Sequence, residues 1–278
     1  MVSTYSRVVC AALVAAAALA AAGCASHARS AVPPGTAQPD KFLFDRGTEA
    51  LNGRKWFTAR EFFKQLVETY TQSPYRPDAK LGLADTYLGE NTAESLVLAQ
   101  NEYTEFLSFY PTTKRAPYAQ YKLGMVHFKQ MRSPQRDQTE TREAVRALQT
   151  FVDRYQNTAD LEQRKVVDEL MPEVKTKLRE ARDRVSESDY EVGYYYYRAR
   201  WYAGAIDRFQ SILKDDPQFT RRDAVYFYLA ESYEKGTLAA SALPLYEKLV
   251  AEFEKSEYLE KARARITELK AKLAAQTK

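Results

Sequence analysis

Histidine is almost missing from this chain: His27 and His127 are the only two among 278 residues. A histidine-built metal site or a charge-relay pair has too few members to form, so no metal and no diffusible cofactor is expected. Nor is there a glycine-rich phosphate loop, since "GENTAES" at 89–95 lacks the lysine and spacing of one. The longest apolar run, Val8 to Ala22, holds 15 residues, mostly alanine, short of the roughly 20 that cross a bilayer. A concentrated basic face is absent as well: the net charge is +4 with cations and anions interspersed, which argues against a nucleic-acid partner. Acidic pairs such as Glu102 with Glu105 fall at helical spacing and read more simply as a solvated face than as paired catalytic carboxylates. These absences together predict a protein that is not an enzyme.

Cysteine is equally scarce, with only Cys10 and Cys24. Arg7, the apolar run and a small-residue exit form a secretory leader over 1–23. Ala21-Ala22-Gly23-Cys24 resembles the bacterial lipobox, with Ala21 where leucine is usual and Leu19 two places further back. That resemblance implies a covalent lipid on Cys24, and Ala25 rather than aspartate after it implies the outer membrane. Cys10 lies in the leader, so Cys24 would be the one remaining thiol and no intramolecular disulfide is expected. Residues 24–40, small, polar and proline-bearing, are expected to form a disordered tether with a reach of roughly 20 Å.

What is present is helix-forming: alanine, leucine, glutamate, lysine and arginine dominate the rest. Taking Ala59, Ala99, Ala144, Ala205 and Ala242 as origins, four residues on stand Phe63, Tyr103, Leu148, Phe209 and Tyr246. Seven on are Leu66, Phe106, Phe151, Ile212 and Leu249, and eight on Val67, Leu107, Val152, Leu213 and Val250. Eleven on, Tyr70, Tyr110, Tyr155 and Phe253 agree, and Asp216 alone departs. Offsets of 0, 4, 7, 8 and 11 share one face of a helix. A small residue, Gly47, Gly82, Gly124, Gly193 or Ala230, precedes each alanine by 12, 17, 20, 12 and 12 residues respectively.

This spacing, with "LGLADTY" at 81–87 and "LAESY" at 229–233, resembles the tetratricopeptide repeat. The resemblance implies an all-α solenoid of about five helix pairs plus a C-terminal helix, because one pair cannot bury its apolar face alone. Repeats 1–3 are assigned to 41–157, and 158–278 to a long linking helix, repeats 4–5 and the final helix. The longer spacings predict loops at 89–95 and 131–141. In the charged stretch 159–186, Val167, Leu170, Val174, Leu178, Ala181 and Val185 form a helical stripe with a soft interruption at Pro172. It reads as a solvated helix extending the solenoid, or else as a docking helix for another protein. Tyrosines 194–197 point in every direction on a helix, so some of them must pack inward.

Lipobox, tether, repeats, and "YEVGYYYYRARWYAGAIDRFQSILKDDP" at 190–217 together resemble the BamD family (ComL, YfiO-like) of outer-membrane assembly lipoproteins. The matching fourth-repeat positions are Glu191, Gly193, Tyr195, Tyr196, Arg198, Tyr202 and Ala205. The resemblance implies a lipid-anchored scaffold on the periplasmic face of the outer membrane. Its implied partners are the periplasmic domain of BamA, other Bam lipoproteins and unfolded outer-membrane β-barrel proteins. The family's partner-contacting arginine matches Arg208, with Arg198 and Tyr202 nearby, and Trp56, Phe57, Tyr75 and Tyr87 are available for a substrate groove. The other readings of the residues are a repeat lipoprotein adaptor of a secretin, pilus or cell-wall system, and a cell-wall enzyme on a repeat platform.

Overall fold

Ala59, Ala99, Ala144, Ala205 and Ala242 are all fully buried, as are the residues four and seven places after each, none of them more than 3% exposed. The computed structural model describes residues 32–236 and 239–276; Cys24, the leader and most of the tether lie outside the described residues. Eleven helices are present among them: α1 (Pro39–Asn52), α2 (Trp56–Thr69), α3 (Arg76–Glu90), α4 (Ala93–Phe109), α5 (Ala116–Lys129), α6 (Thr139–Tyr155), α7 (Leu161–Arg198), α8 (Tyr202–Asp215), α9 (Arg222–Lys235), α10 (Ala239–Glu252) and α11 (Leu259–Gln276). No strand occurs among the described residues. The fold is all-α, built of tetratricopeptide-type helix pairs in two compact units, residues 1–119 and 120–278.

In the first unit α2 packs against α1 and α3, and α3 against α4. The small residues are needed where Phe63 passes between two first helices. A Cβ on either Gly47 or Gly82 would lie 2.6 Å from a carbon of that ring, closer than atoms can approach. Val32 packs on this core with Phe42 and Phe44, and α1 begins at Pro39. The tether expected over 24–40 therefore gives way to packed chain by Val32.

The loop expected over 89–95 is also absent. Helix α3 runs to Glu90 and α4 starts at Ala93, because Asn91 takes a left-handed φ of 58° and Thr92 and Ser95 form a reciprocal capping box. Such a box satisfies the free amides of a helix start and so sets where it begins. Glu102 and Glu105 flank the buried Lys80, whose Nζ lies 3.4 and 2.9 Å from their carboxylates. The acidic pair is a lysine clamp rather than an open solvated face.

In the second unit α5 meets α6 through Gly124, where a Cβ would lie 2.6 Å from Leu148 Cδ2. A loop does separate this pair, over 130–138. It is held by Gln138, which donates to the carbonyls of Ser133 and Arg136, and by Arg184, which donates to that of Arg132 at 2.9 Å. The linking helix and the first helix of the fourth repeat are one element, α7, 38 residues long. Val167, Val174, Leu178 and Ala181 are buried on it, and α7 packs against α6 and α8. The apolar stripe is thus used within the unit. Helix α7 continues through Pro172, which is exposed, as is Asp168, the residue whose carbonyl loses its amide partner to the proline. Helix α9 packs on α8 and α10, and α11 on α10.

Candidate binding surface

Two turns, one in each unit, share a backbone design and carry three exposed aromatic residues beside exposed arginines. In the α1–α2 turn the amides of Gly53, Arg54 and Lys55 donate to the carbonyls of Glu49, Leu51 and Ala50 at 2.9–3.0 Å. In the α7–α8 turn those of Ala199, Arg200 and Trp201 donate to Tyr195, Tyr197 and Tyr196 over the same distances. The middle residue of each is an arginine with positive φ, 55° at Arg54 and 63° at Arg200. The left-handed conformation costs a residue with a Cβ about 1 kcal/mol and glycine nothing. The chain's only two tryptophans, Trp56 and Trp201, stand one or two residues beyond these arginines. Tyr195 is 65% and Trp201 66% exposed at one turn, and Phe57 70% at the other.

The residues expected to meet a protein partner do not form one patch. Arg208 is exposed on α8 and has no hydrogen bond or ion pair with any described residue. It acts on the half-buried Asp189 of α7, whose carboxyl burial pushes up against the pull of Arg142 and Arg208. Tyr202 lies six residues earlier, about 120° around the helix at 3.6 residues per turn, and turns toward Tyr197, ring centres 6.2 Å apart. Arg198 is exposed in the last turn of α7. Of tyrosines 194–197, only Tyr195 is fully exposed. Tyr194 packs edge-on against Tyr228 at 4.9 Å and Tyr197 packs tilted against the same ring at 5.0 Å.

The expected groove residues divide as well. Trp56 lies over the α-carbon of Gly89, where a Cβ would come within 2.7 Å of its six-membered ring. Nearby, Arg60 covers the ring of Tyr87 at 4.9 Å and pairs with Glu90 at 2.6 Å. Tyr75 stacks on Phe44 instead, at 5.4 Å, and twelve residues of helix, roughly 18 Å, separate it from Tyr87. Phe57 extends into solvent beside Trp56. Arg54, Lys55, Arg200 and Trp201 do not stand out in the sequence, because nothing in the periodicity of a helix speaks for a turn. The one signal for them is that both tryptophans stand at the start of a second helix, Trp56 as its first residue and Trp201 just before it.

Among the described residues no cluster of histidine, cysteine, aspartate or glutamate could hold a metal ion, and no helix is long and apolar enough to cross a membrane. The family described as YfiO, outer membrane lipoprotein, matches residues 36–244. An outer membrane protein assembly factor BamD of Caulobacter vibrioides is 26% identical over 216 residues, covering 76% of this chain and 65% of that protein. One of Xylella fastidiosa is 22% identical over 205 residues, covering 70% and 66%. The chain thus spans just under two thirds of the length of each. A solved tetratricopeptide repeat protein from Parabacteroides merdae superposes with a TM-score of 0.34 at 14% identity, over 84% of this chain and 87% of that one.

Proposed function

The chain belongs to the YfiO family of outer membrane lipoproteins, and from that premise we propose that it is a lipid-anchored periplasmic scaffold of the β-barrel assembly machinery. It acts by binding, with no bond chemistry. The second unit holds a periplasmic domain of BamA, with Arg208 as the charged contact. The first receives unfolded outer-membrane chains near Tyr87. The observation that carries the reading is the family match across 36–244, which takes in four complete helix pairs and the whole of α7. An exposed guanidinium that makes no hydrogen bond or ion pair with a described residue, as at Arg208, is available to a protein contact.

Affinity purification of the tagged protein from detergent-solubilised envelopes tests this. A barrel protein with tandem periplasmic domains is expected with the wild type and is expected to be depleted with Arg208→Glu. Because Arg208 is exposed, the substitution should change stability by no more than about 0.5 kcal/mol, so depletion would not reflect unfolding. Absence of that barrel protein from the wild-type sample, with secretin or cell-wall components in its place, overturns the reading.

A further inference from the structure

We propose that the α1–α2 turn, Gly53 to Phe57, is a contact for an anionic phospholipid surface. Arg54 and Lys55 are exposed, and neither makes an ion pair or side-chain hydrogen bond with a described residue. Two carboxylates near the turn are already paired, Glu49 with Arg46 at 2.7 Å and Glu90 with Arg60 at 2.6 Å, while the exposed Glu61 lies a full helical turn beyond Phe57. Two uncompensated cations therefore stand together. Beside them Phe57 is 70% exposed, and Trp56 is half-buried with its indole seated on Gly89. Cations next to an exposed ring and a rigidly held indole are the chemistry that settles in the headgroup layer, where rings enter the acyl boundary and charges meet phosphate.

The backbone adds an independent argument. At φ 55° glycine would be the less strained residue, so what Arg54 contributes at this turn comes from its side chain. Its planar guanidinium suits phosphate oxygens. Chain length supplies the proximity. The inference rests on the anchored-lipoprotein reading, in which lipid sits on Cys24. Only seven residues then lie between the anchor and Val32, which is packed on the first unit, and the eight residue steps span at most about 29 Å when extended. The first unit therefore stays within about 29 Å of the bilayer surface.

The full mature lipoprotein carrying Trp201→Phe leaves Trp56 as its one indole. It would be reconstituted in vesicles of phosphatidylcholine alone or with about 30% phosphatidylglycerol, part of the phosphatidylcholine carrying brominated acyl chains. Trp56 emission is expected to be quenched about twofold more in the anionic vesicles, and the difference to vanish in about 0.5 M salt. Arg54→Gly with Lys55→Gln should abolish the difference without lowering the melting temperature, since glycine relieves the left-handed turn. A merely structural role for Arg54 would leave quenching unchanged. Equal quenching in both vesicle types overturns the proposal, and so does emission that responds only to an added soluble periplasmic domain. Flotation of the protein with both vesicle types reports the anchor separately, and failure to float rejects both the anchor and the contact.

Discussion

Asp216 stands where the other second helices carry Tyr70, Tyr110, Tyr155 and Phe253, and it is 7% exposed. A carboxylate can replace a ring there because α7 supplies its partners. Arg179 donates through both terminal nitrogens, one at 2.8 Å, and Ser186 Oγ donates at 2.7 Å. Arg179 also holds Asp183, which accepts from the amide and hydroxyl of Thr220 in the next turn. Burial pushes the Asp216 carboxyl up, but the donors outweigh it and hold it below its ordinary value of 3.8. A depressed folded-state pKa contributes stability that is complete above the ordinary value and is lost as pH falls through the folded one. Asp216→Asn is therefore expected to cost about 1–2 kcal/mol at neutral pH, mostly by leaving the half-buried Arg179 guanidinium with Asp183 as its one carboxylate. Denaturant titrations should show that difference shrinking as the pH falls below the carboxyl's ordinary value of 3.8. A difference independent of pH would assign the effect to packing instead.

At the scale of the element, a repeat is held to the next at two places. One is Phe63, whose ring passes over Gly82 of the next pair as well as Gly47 of its own; Leu148 over Gly124 and Phe209 over Gly193 make the same close approach within a pair. The other is a hydroxyl in the turn before a first helix that bonds an acid at the start of the preceding one. Ser73 reaches Asp40 and Ser256 reaches Asp223, both at 2.7 Å. Gly82→Ala would drive a methyl to 2.6 Å from the ring of Phe63, and should destabilise by about 1–3 kcal/mol despite the better helix propensity of alanine. Placing the same substitution in a Phe63→Leu background should recover part of that loss, a coupling that a double-mutant cycle measures. Strict additivity would contradict the contact.

For the whole molecule, the second unit ends in α11, whose Ala262 and Leu269 are buried in the same core as Phe227, Tyr246 and Leu249. A terminal helix with a polar outer face is what keeps a repeat array soluble. Truncation after Lys255 removes Tyr258, Ala262 and Leu269 from that core, and is expected to raise binding of a hydrophobic dye and lower the unfolding midpoint. Unchanged values would show that α10 closes the unit alone. The helical repeat is legible in the amino-acid sequence, because offsets of 0, 4 and 7 are a property of one helix and every alanine-led series follows them. So is the family, whose fourth-repeat residues lie in one continuous stretch. Three things are not: that Asp216 belongs to Arg179, that the aromatic set parts into Trp56 with Tyr87 and Tyr75 with Phe44, and that two arginines turn left-handed. The first two depend on pairs brought together from about 31 to 37 residues apart, and the third on how a helix end meets its neighbour. Periodicity along one chain segment settles which face of a helix is buried. Only the stacking of helices decides what that face meets.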